Sequence, residues 1–442
     1  MGIENLCDCA IGHWLHGRRP SRIARFSNDT RTLCAGDCFV ALKTDARDGH
    51  SFLPMAAERH ASCAIVSKAD SGIDLPQFVC ADTRVALVKI AKLFRSQFIG
   101  TVIAISGSFG KTTTKDILRL LLAVGNNATF GNLNGDLGVP MTLATLNNDE
   151  IFAVIEVAVD RPGDMDILAP MVSPHIAIVT GIGKAHMRNM GSEEGTAREK
   201  CKLVGHAIAN GGCGIFTGEC LRFDYFRGLR EGSIVVEEGS PSAGYGVRMC
   251  RGRTLVNVML DGQSFPFAVP RMMSPGTIKD FALACLCALR CGVQPEAIGK
   301  RIARWEPTPM RGEIVKSGER TYFMDCYNAN PTSFRDSCEH FDRLFPHGNR
   351  LLIIGALMEE EIGPTAADEN AALLENFPVR RGDCVIIIGD GVEQLAKKVC
   401  RCHSRAFALA EEARHVVESF RGVVYLKGHR HYRLETLVFG AQ

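Results

Sequence analysis

Apolar and polar positions along this chain follow two alternating periods. Apolar runs of four to six residues, rich in Ile, Val and Ala, recur over 63–66, 101–105, 152–157, 175–180, 351–354, 385–388 and 423–426. Runs of that length predict buried β-strands. Between them, apolar residues spaced for a helix occupy 52–60, 116–124, 164–168, 280–289, 332–345, 368–374 and 392–400. Residues 36–42 read as a turn followed by a strand, and 245–269 as strand-rich. Alternation of this kind predicts an α/β protein whose mostly parallel sheets are covered by helices, with ligands at the carboxyl ends of the strands.

The pattern breaks at two places, which divides the chain into three expected domains. Residues 1–96 read as a small N-terminal α/β domain, 97–306 as a central parallel-sheet domain, and 307–442 as a C-terminal Rossmann-like α/β domain. The second boundary falls at Trp305-Glu306-Pro307-Thr308-Pro309, where two prolines enforce an extended path. A chain of 442 residues, 46% of them hydrophobic, is long enough to bury three such cores. No solenoid-length repeat or low-complexity tract interrupts it.

The chemistry concentrates in Ala104-Ile105-Ser106-Gly107-Ser108-Phe109-Gly110-Lys111-Thr112-Thr113-Thr114, between an expected strand and an expected helix. A buried strand that enters a glycine turn and then a helix aims backbone N–H groups and a positive helix end at one point, which suits a phosphate chain. Gly107, Ser108, Gly110 and Thr113 would form the cradle, Lys111 would reach the terminal phosphates, and Thr112 would bind Mg²⁺. The spacing G-x-x-G-K-T-T is two residues shorter than the general phosphate-loop pattern. Glu156 ends one expected strand and His186 follows another. The glycine-rich stretch from Gly131 to Pro140, with Asn132 and Asn134, is long enough to close over a substrate and equally suits a surface turn. Near the N-terminus, Ser27, Asp29, Arg31 and His50 can bind the uracil, ribose and diphosphate of a nucleotide sugar; the same residue types also make helix caps and solvated salt bridges.

Charge narrows the partners. With 51 Lys and Arg against 49 Asp and Glu, the net charge of +2 gives no global argument for nucleic acid or an anionic membrane, neither is expected as a partner, and any anionic ligand must be held by local groups. The first twenty residues lack a signal-peptide apolar core, Leu6 breaks the myristoylation pattern, and no run of 18 apolar residues occurs, so a cytoplasmic protein without membrane insertion is expected. The 18 cysteines include no C-x-x-C pair. Cys285, Cys287 and Cys291 fall in an apolar helical run and read as small buried hydrophobes. Among the cysteines only Cys400 and Cys402, with His403, make a metal-like grouping, and an ATP-type site implies a reducing compartment without a disulfide framework.

Taken together, these motifs resemble the Mur ligases of peptidoglycan synthesis, and within them the branch that adds D-alanyl-D-alanine to the UDP-N-acetylmuramoyl tripeptide. The resemblance spans nearly the whole chain in order: the short phosphate loop, the G-N-x-N loop ending in Gly138-Val139-Pro140, the stretch Asp325-Cys326-Tyr327-Asn328-Ala329-Asn330-Pro331, and Lys427-Gly428-His429-Arg430. It implies an ATP-dependent amide ligase, expected as a monomer, that phosphorylates a carboxylate with two Mg²⁺ ions and lets an amine attack the acyl phosphate. By the same resemblance Thr112, Glu156 and His186 serve the metals, Lys200 is carbamylated (with Lys202 as its neighbouring alternative), and Arg311, Asp325 and Asn328 meet the nucleotide. Tyr327, Asn330, Asn132 and Asn134 fall at the substrate cleft, and Ser27, Asp29, Arg31 and His50 at the UDP-sugar.

Several positions depart from the family. Where an H-N-x-x-N segment usually contacts adenine, this chain has Thr277-Ile278-Lys279-Asp280-Phe281. Ala158 and Asp160 replace a glycine and an asparagine after Glu156, Gly135 replaces an asparagine, Phe109 replaces the phosphate-loop asparagine, and the stretch from Gly355 to Gly363 matches only loosely. The expected reaction is ATP plus UDP-MurNAc-tripeptide plus D-Ala-D-Ala giving the pentapeptide, ADP and phosphate. A relative joining another amine to another carboxylate, and a non-catalytic nucleotide-binding relative, are the alternatives.

Overall fold

A computed structural model describes residues 11–44, 47–250, 252–358, 366–375, 377–389, 392 and 403–439, and its strands form three sheets. The pairs Cys7/Cys9 and Cys400/Cys402, the end of the loosely matching stretch after 358, and all but the first residue of the helix expected over 392–400 lie outside the described residues.

The first sheet runs in the order Gly12–Trp14, Gln77–Cys80, Cys63–Val66, Cys38–Val40, Phe26–Ser27. Its pairings are parallel except for the antiparallel first strand. Helix Thr83–Gln97 covers it. The Asp82 side chain caps this helix by accepting from the Val85 N–H at 2.9 Å, and Ala86, Leu87, Ile90 and Phe94 form the buried stripe.

The second sheet has eight strands, and Thr101–Ser106 lies between Ile176–Val179 and Phe152–Glu156, parallel to both. Alternate residues of this strand enter two different cores: Ile103 and Ile105 pack with Ile117, Leu118 and Phe281, while Val102 and Ala104 pack with Val139, Leu168 and Leu203. Burial on both faces is why the strand reads as an unbroken apolar run. Helices Lys111–Leu122 and Pro275–Arg290 cover the first face; Gly138–Leu143, Asp164–Val172 and Glu193–Ala209 cover the second. The strand-rich segment resolves into an antiparallel meander, Ala243–Cys250, Arg253–Leu260 and Gln263–Val269, that extends the sheet. Cys285 and Cys287 are fully buried in this core.

Two helices begin earlier than the apolar spacing predicts, and caps explain both. Gly110, at φ +76°, turns the chain so that the helix starts at Lys111. Ser274 accepts from the Thr277 N–H at 3.0 Å with a proline in the first turn, so that helix starts at Pro275.

The third sheet runs Glu313–Ser317, Arg320–Asp325, Gly422–Lys427, Arg350–Gly355, Cys384–Ile388, His403–Phe407, parallel after the first antiparallel pair. Helix Pro331–Leu344 packs on it through Phe334, Cys338 and Phe341. Among the described residues, polar contacts join it to the second unit: Thr308 Oγ1 to Asp116 at 2.5 Å, Arg311 to Thr112, Lys184 to Glu369, and Asp336 to Ser274 and Gly276. Among the described residues no helix is long and apolar enough to cross a membrane.

Candidate active site

The phosphate loop is held by the turn that follows strand Ile176–Val179. Ser108 Oγ donates to the Gly183 carbonyl at 3.0 Å and accepts from the Gly183 N–H at 3.1 Å, and the Ser108 N–H donates to the Gly181 carbonyl at 2.9 Å. The Phe109 ring lies over Gly181 so closely that a Cβ there would stand 2.5 Å from it. Phe109, which replaces a polar residue of the family pattern, therefore props the loop through packing. On the opposite side, a Cβ at Gly110 would lie 2.3 Å from Asp280 Oδ1. Asp280 is buried, and loss of water raises its carboxyl well above the ordinary value.

Lys111 folds back onto the loop, its ammonium donating to the Gly107 carbonyl at 2.8 Å. Thr112 points across the sheet toward Glu156, with its hydroxyl 3.2 Å from Glu156 Oε1. Glu156 is 1% exposed. Its Oε1 also accepts from Asn134 Nδ2 at 2.6 Å, while Oε2 lies 3.5 Å from Lys115 Nζ and has no hydrogen-bond partner. Asn134 is tied down in turn, because its carbonyl accepts the Ala158 N–H at 2.7 Å. The glycine-rich loop thus delivers one amide to the metal-type carboxylate, and Asn132 stays exposed beside it.

A second group forms around Asp160, a residue whose identity departs from the family pattern. His186, with left-handed backbone at φ +53°, places Nε2 3.4 Å from Asp160 Oδ1. Lys200 is buried near Asp160 and Lys111; burial first, and the Lys111 charge second, bring its ammonium down to about 7. Lys202 is instead paired with Asp166 at 2.6 Å and Glu199 at 2.9 Å.

The third sheet supplies the facing wall. Arg311 Nη2 donates to Thr112 Oγ1 at 3.2 Å, and its guanidinium stacks 4.5 Å from the Tyr327 ring. Asp325 Oδ2 accepts from Lys427 Nζ at 2.8 Å, and that lysine is 1% exposed. Asn328 and Asn330 spend their side chains on the backbone: Asn328 Oδ1 accepts from the Ala329 N–H at 2.7 Å, and Asn330 caps helix Pro331–Leu344 by accepting from the Ser333 N–H at 2.9 Å. A cavity of about 830 Å³ lies between the two units, with Gly110, Thr113, Arg311, Asp325, Asp336 and His340 in its walls.

Ser27, Asp29, Arg31 and His50 lie on the first unit and do not line that cavity. Ser27 Oγ accepts from the Asp29 N–H at 3.2 Å, and Asp29 pairs with Arg31 at 2.7 Å, which holds the Asp29 carboxyl below its usual range. His50 Nδ1 faces Asp48 at 2.6 Å while Nε2 accepts from the Ser67 N–H at 3.0 Å, so the proton sits on Nδ1. Sequence reasoning named Asp160 and Asp280 only as departures from the family pattern, and it missed Lys115, Asp336 and His340. Lys115, one helical turn after Lys111, was findable from its spacing; the others sit on elements brought together only by packing.

The chain matches two family models, the Mur ligase middle domain over residues 105–235 and the Mur ligase glutamate ligase domain over residues 310–429. It is similar to the UDP-N-acetylmuramoyl-tripeptide–D-alanyl-D-alanine ligase of Escherichia coli, 30% identical over 75% of this chain and 74% of that protein. The ligase of the same name from Synechocystis is 38% identical, and the match spans 42% of each chain. Among solved structures, MurF from Acinetobacter baumannii is 27% identical with a TM-score of 0.79, covering 99% of this chain and 98% of that one. The chain therefore belongs to the Mur ligase family, on the branch of the UDP-N-acetylmuramoyl-tripeptide–D-alanyl-D-alanine ligases.

Proposed function

We propose that this chain is an ATP-dependent amide ligase that joins D-Ala-D-Ala to UDP-MurNAc-tripeptide, giving UDP-MurNAc-pentapeptide, ADP and phosphate. The observation that carries the reading is the meeting of Lys111, Thr112 and Glu156 with Arg311, which reaches Thr112 Oγ1 at 3.2 Å from the other unit. Carboxylate activation needs positive charge around the transferred phosphoryl group, and Lys111 and Arg311 provide it from two sides.

Magnesium fits the residues present. Thr112 and Glu156 offer hard oxygen donors, and the buried Glu156 Oε2 has no hydrogen-bond partner. Among the described residues no group of three or more His, Cys, Asp and Glu side chains is placed to hold a metal, which suits an ion held largely by phosphate and water. His186 with Asp160, and Lys200 as a carbamate, would serve a second ion. When bound, the ions neutralise charge on the phosphoryl group in flight.

Around them the protein's own groups position the reactants. The tripeptide carboxylate attacks the γ-phosphorus and ADP leaves; the amine then attacks the acyl carbon and phosphate leaves. Arg311 lies beyond the proline linker, so it joins the site only when the two units close, and closure keeps water from the acyl phosphate. Tyr327 and Asn330 stand for the substrate cleft, and Ser27, Asp29, Arg31 and His50 for the nucleotide-sugar end. Dependence on ATP and the free thiols of the described cysteines fit a reducing, cytoplasmic location, and a single chain supplies every group named, so a monomer suffices.

Phosphate release from ATP by the purified chain, with both substrates and with each omitted in turn, tests the reading. Release that requires both, with a pentapeptide product by mass spectrometry, is the expected result. Release with a different amine or carboxylate alone would overturn the substrate assignment.

A further inference from the structure

The proline linker carries a hydroxyl that crosses from one unit to the other. Thr308 Oγ1 donates to Asp116 Oδ2 at 2.5 Å, over a separation of 192 positions. A bond this short to a carboxylate is charge-assisted and stronger than a neutral one. Asp116 Oδ1 in turn lies 3.4 Å from Lys115 Nζ. Lys115 is buried, and its ammonium also donates to the Gly131 carbonyl at 3.2 Å and stands 3.5 Å from Glu156 Oε2. A buried ammonium is tolerated only where opposite charge faces it, so Asp116 and Glu156 hold it between them.

The same threonine shapes the linker through its backbone. Its carbonyl accepts the Arg311 N–H at 3.0 Å, which closes a turn over residues 308–311. Inside that turn Met310 is left-handed at φ +60°, a conformation that persists in a residue of this kind only where the surrounding contacts over-determine it. The Met310 N–H donates to Glu313 at 3.0 Å and the Met310 carbonyl accepts the Tyr327 N–H at 3.3 Å. Those two bonds tie the turn to the third sheet, and the Thr308 hydroxyl ties it to the central unit. From this turn Arg311 reaches Thr112, and Thr112 reaches Glu156, each at 3.2 Å. The contacts therefore close a ring around the first turns of helix Lys111–Leu122, from Glu156 through Thr112, Arg311, Thr308, Asp116 and Lys115 back to Glu156.

We propose that Thr308 is a positioning residue for the ligase reaction: its hydroxyl latches the linker turn onto Asp116 and so sets Arg311 against Thr112, while the Asp116–Lys115 pair carries the same latch to Glu156. The proposal rests on the ligase reading of the site. Thr308 touches no reactant and acts through Arg311 on one side and through Lys115 on the other. Its contribution is made only when the two units are together, so it bears on the rate of the bound complex more than on the capture of ATP, whose phosphate loop lies wholly in the central unit.

Steady-state phosphate release by the full chain, with UDP-MurNAc-tripeptide and D-Ala-D-Ala, tests this in a mutant cycle. Thr308→Val keeps the side-chain shape and removes the donor; it should lower kcat about tenfold and change KM for ATP by less than about twofold. Thr308→Ser returns the hydroxyl and should return most of the rate. In an Arg311→Ala background Thr308→Val should cost less than about twofold, because the group it positions is gone. Equal losses in both backgrounds would mean that Thr308 only glues the units together, which overturns the proposal, as does a parent-like kcat in Thr308→Val. Hydrogen exchange of the substrate-free chain reads the latch without the reaction: the peptide over 308–313 should exchange about tenfold faster in Thr308→Val and at the parent's rate in Thr308→Ser. Unchanged exchange in Thr308→Val overturns the latch. If the parent releases no phosphate with both substrates, the ligase reading fails instead, and the exchange comparison decides the latch by itself; it does so too if Arg311→Ala leaves no measurable rate.

Discussion

Replacing Lys200 by methionine is expected to stabilise the central unit at neutral pH, and to do so less as the pH rises. The side chain is 1% exposed, and burial brings its ammonium from 10.5 down to about 7. An unfolded lysine holds its proton up to its ordinary value, so between these two limits the unfolded state binds more protons than the folded one. Stability therefore rises with pH through that window, and the full penalty applies below it. Linkage gives a penalty of at most about 4 kcal/mol at pH 7, falling to about 1 kcal/mol at pH 10. Methionine has a similar length and carries no charge, so it removes the penalty with little change in packing. The chain has two tryptophans, Trp14 in the first unit and the buried Trp305 beside the central core. In a Trp14→Phe background, urea unfolding followed by Trp305 emission in bicarbonate-free buffer reads the central unit. A gain of a few kcal/mol at pH 7 that shrinks by pH 10 is expected. A gain equal at both pH values, or a less stable variant at pH 7, would refute the reasoning. Added bicarbonate should shift the parent more than the variant, because burial keeps much of the Lys200 amine in the neutral form that takes up CO₂.

Lys111→Ala should abolish turnover, by at least about a hundredfold in kcat, because cationic charge at the γ-phosphate is lost where it matters most; wild-type-like phosphate release would refute the loop assignment. Gly110→Ala should cost about 1–3 kcal/mol from its left-handed backbone alone, and the new Cβ, 2.3 Å from Asp280 Oδ1, should displace the loop and weaken ADP in titration calorimetry. Arg350 is buried between Asp383 at 2.5 Å and Asp342 at 2.8 Å, so Arg350→Leu should destabilise the C-terminal unit by about 3–5 kcal/mol in thermal melts. The double change Arg350→Leu with Asp383→Asn should cost less than the single one, since no buried charge is left unpaired.

Much of the site was legible because its parts are local. The phosphate loop is a contiguous stretch whose glycines, lysine and threonine announce a strand, turn and helix end in order. Glu156 was recognisable as the end of a buried run, and its neighbours Thr112 and Asn134 were named before the fold brought them within 3.2 Å and 2.6 Å of it. Helix starts were less legible, since apolar spacing marks where a helix packs, whereas Gly110 and Ser274 mark where it begins. The resemblance favoured Lys200 over Lys202, but the physical difference between them was closed to sequence reasoning. Two lysines on one helix differ in burial only once the neighbouring elements are placed, and then one loses water while the other pairs with Asp166 and Glu199.

The amino-acid sequence by itself determined the α/β class, the order of the motifs and the phosphate-binding chemistry, because short-range spacing dictates strand, turn and helix. Only the tertiary structure decided which distant groups share a wall. Asp336 reaches Gly276 across 60 positions and Arg311 reaches Thr112 across 199. Such contacts depend on how two separately formed cores dock, and no local period encodes that.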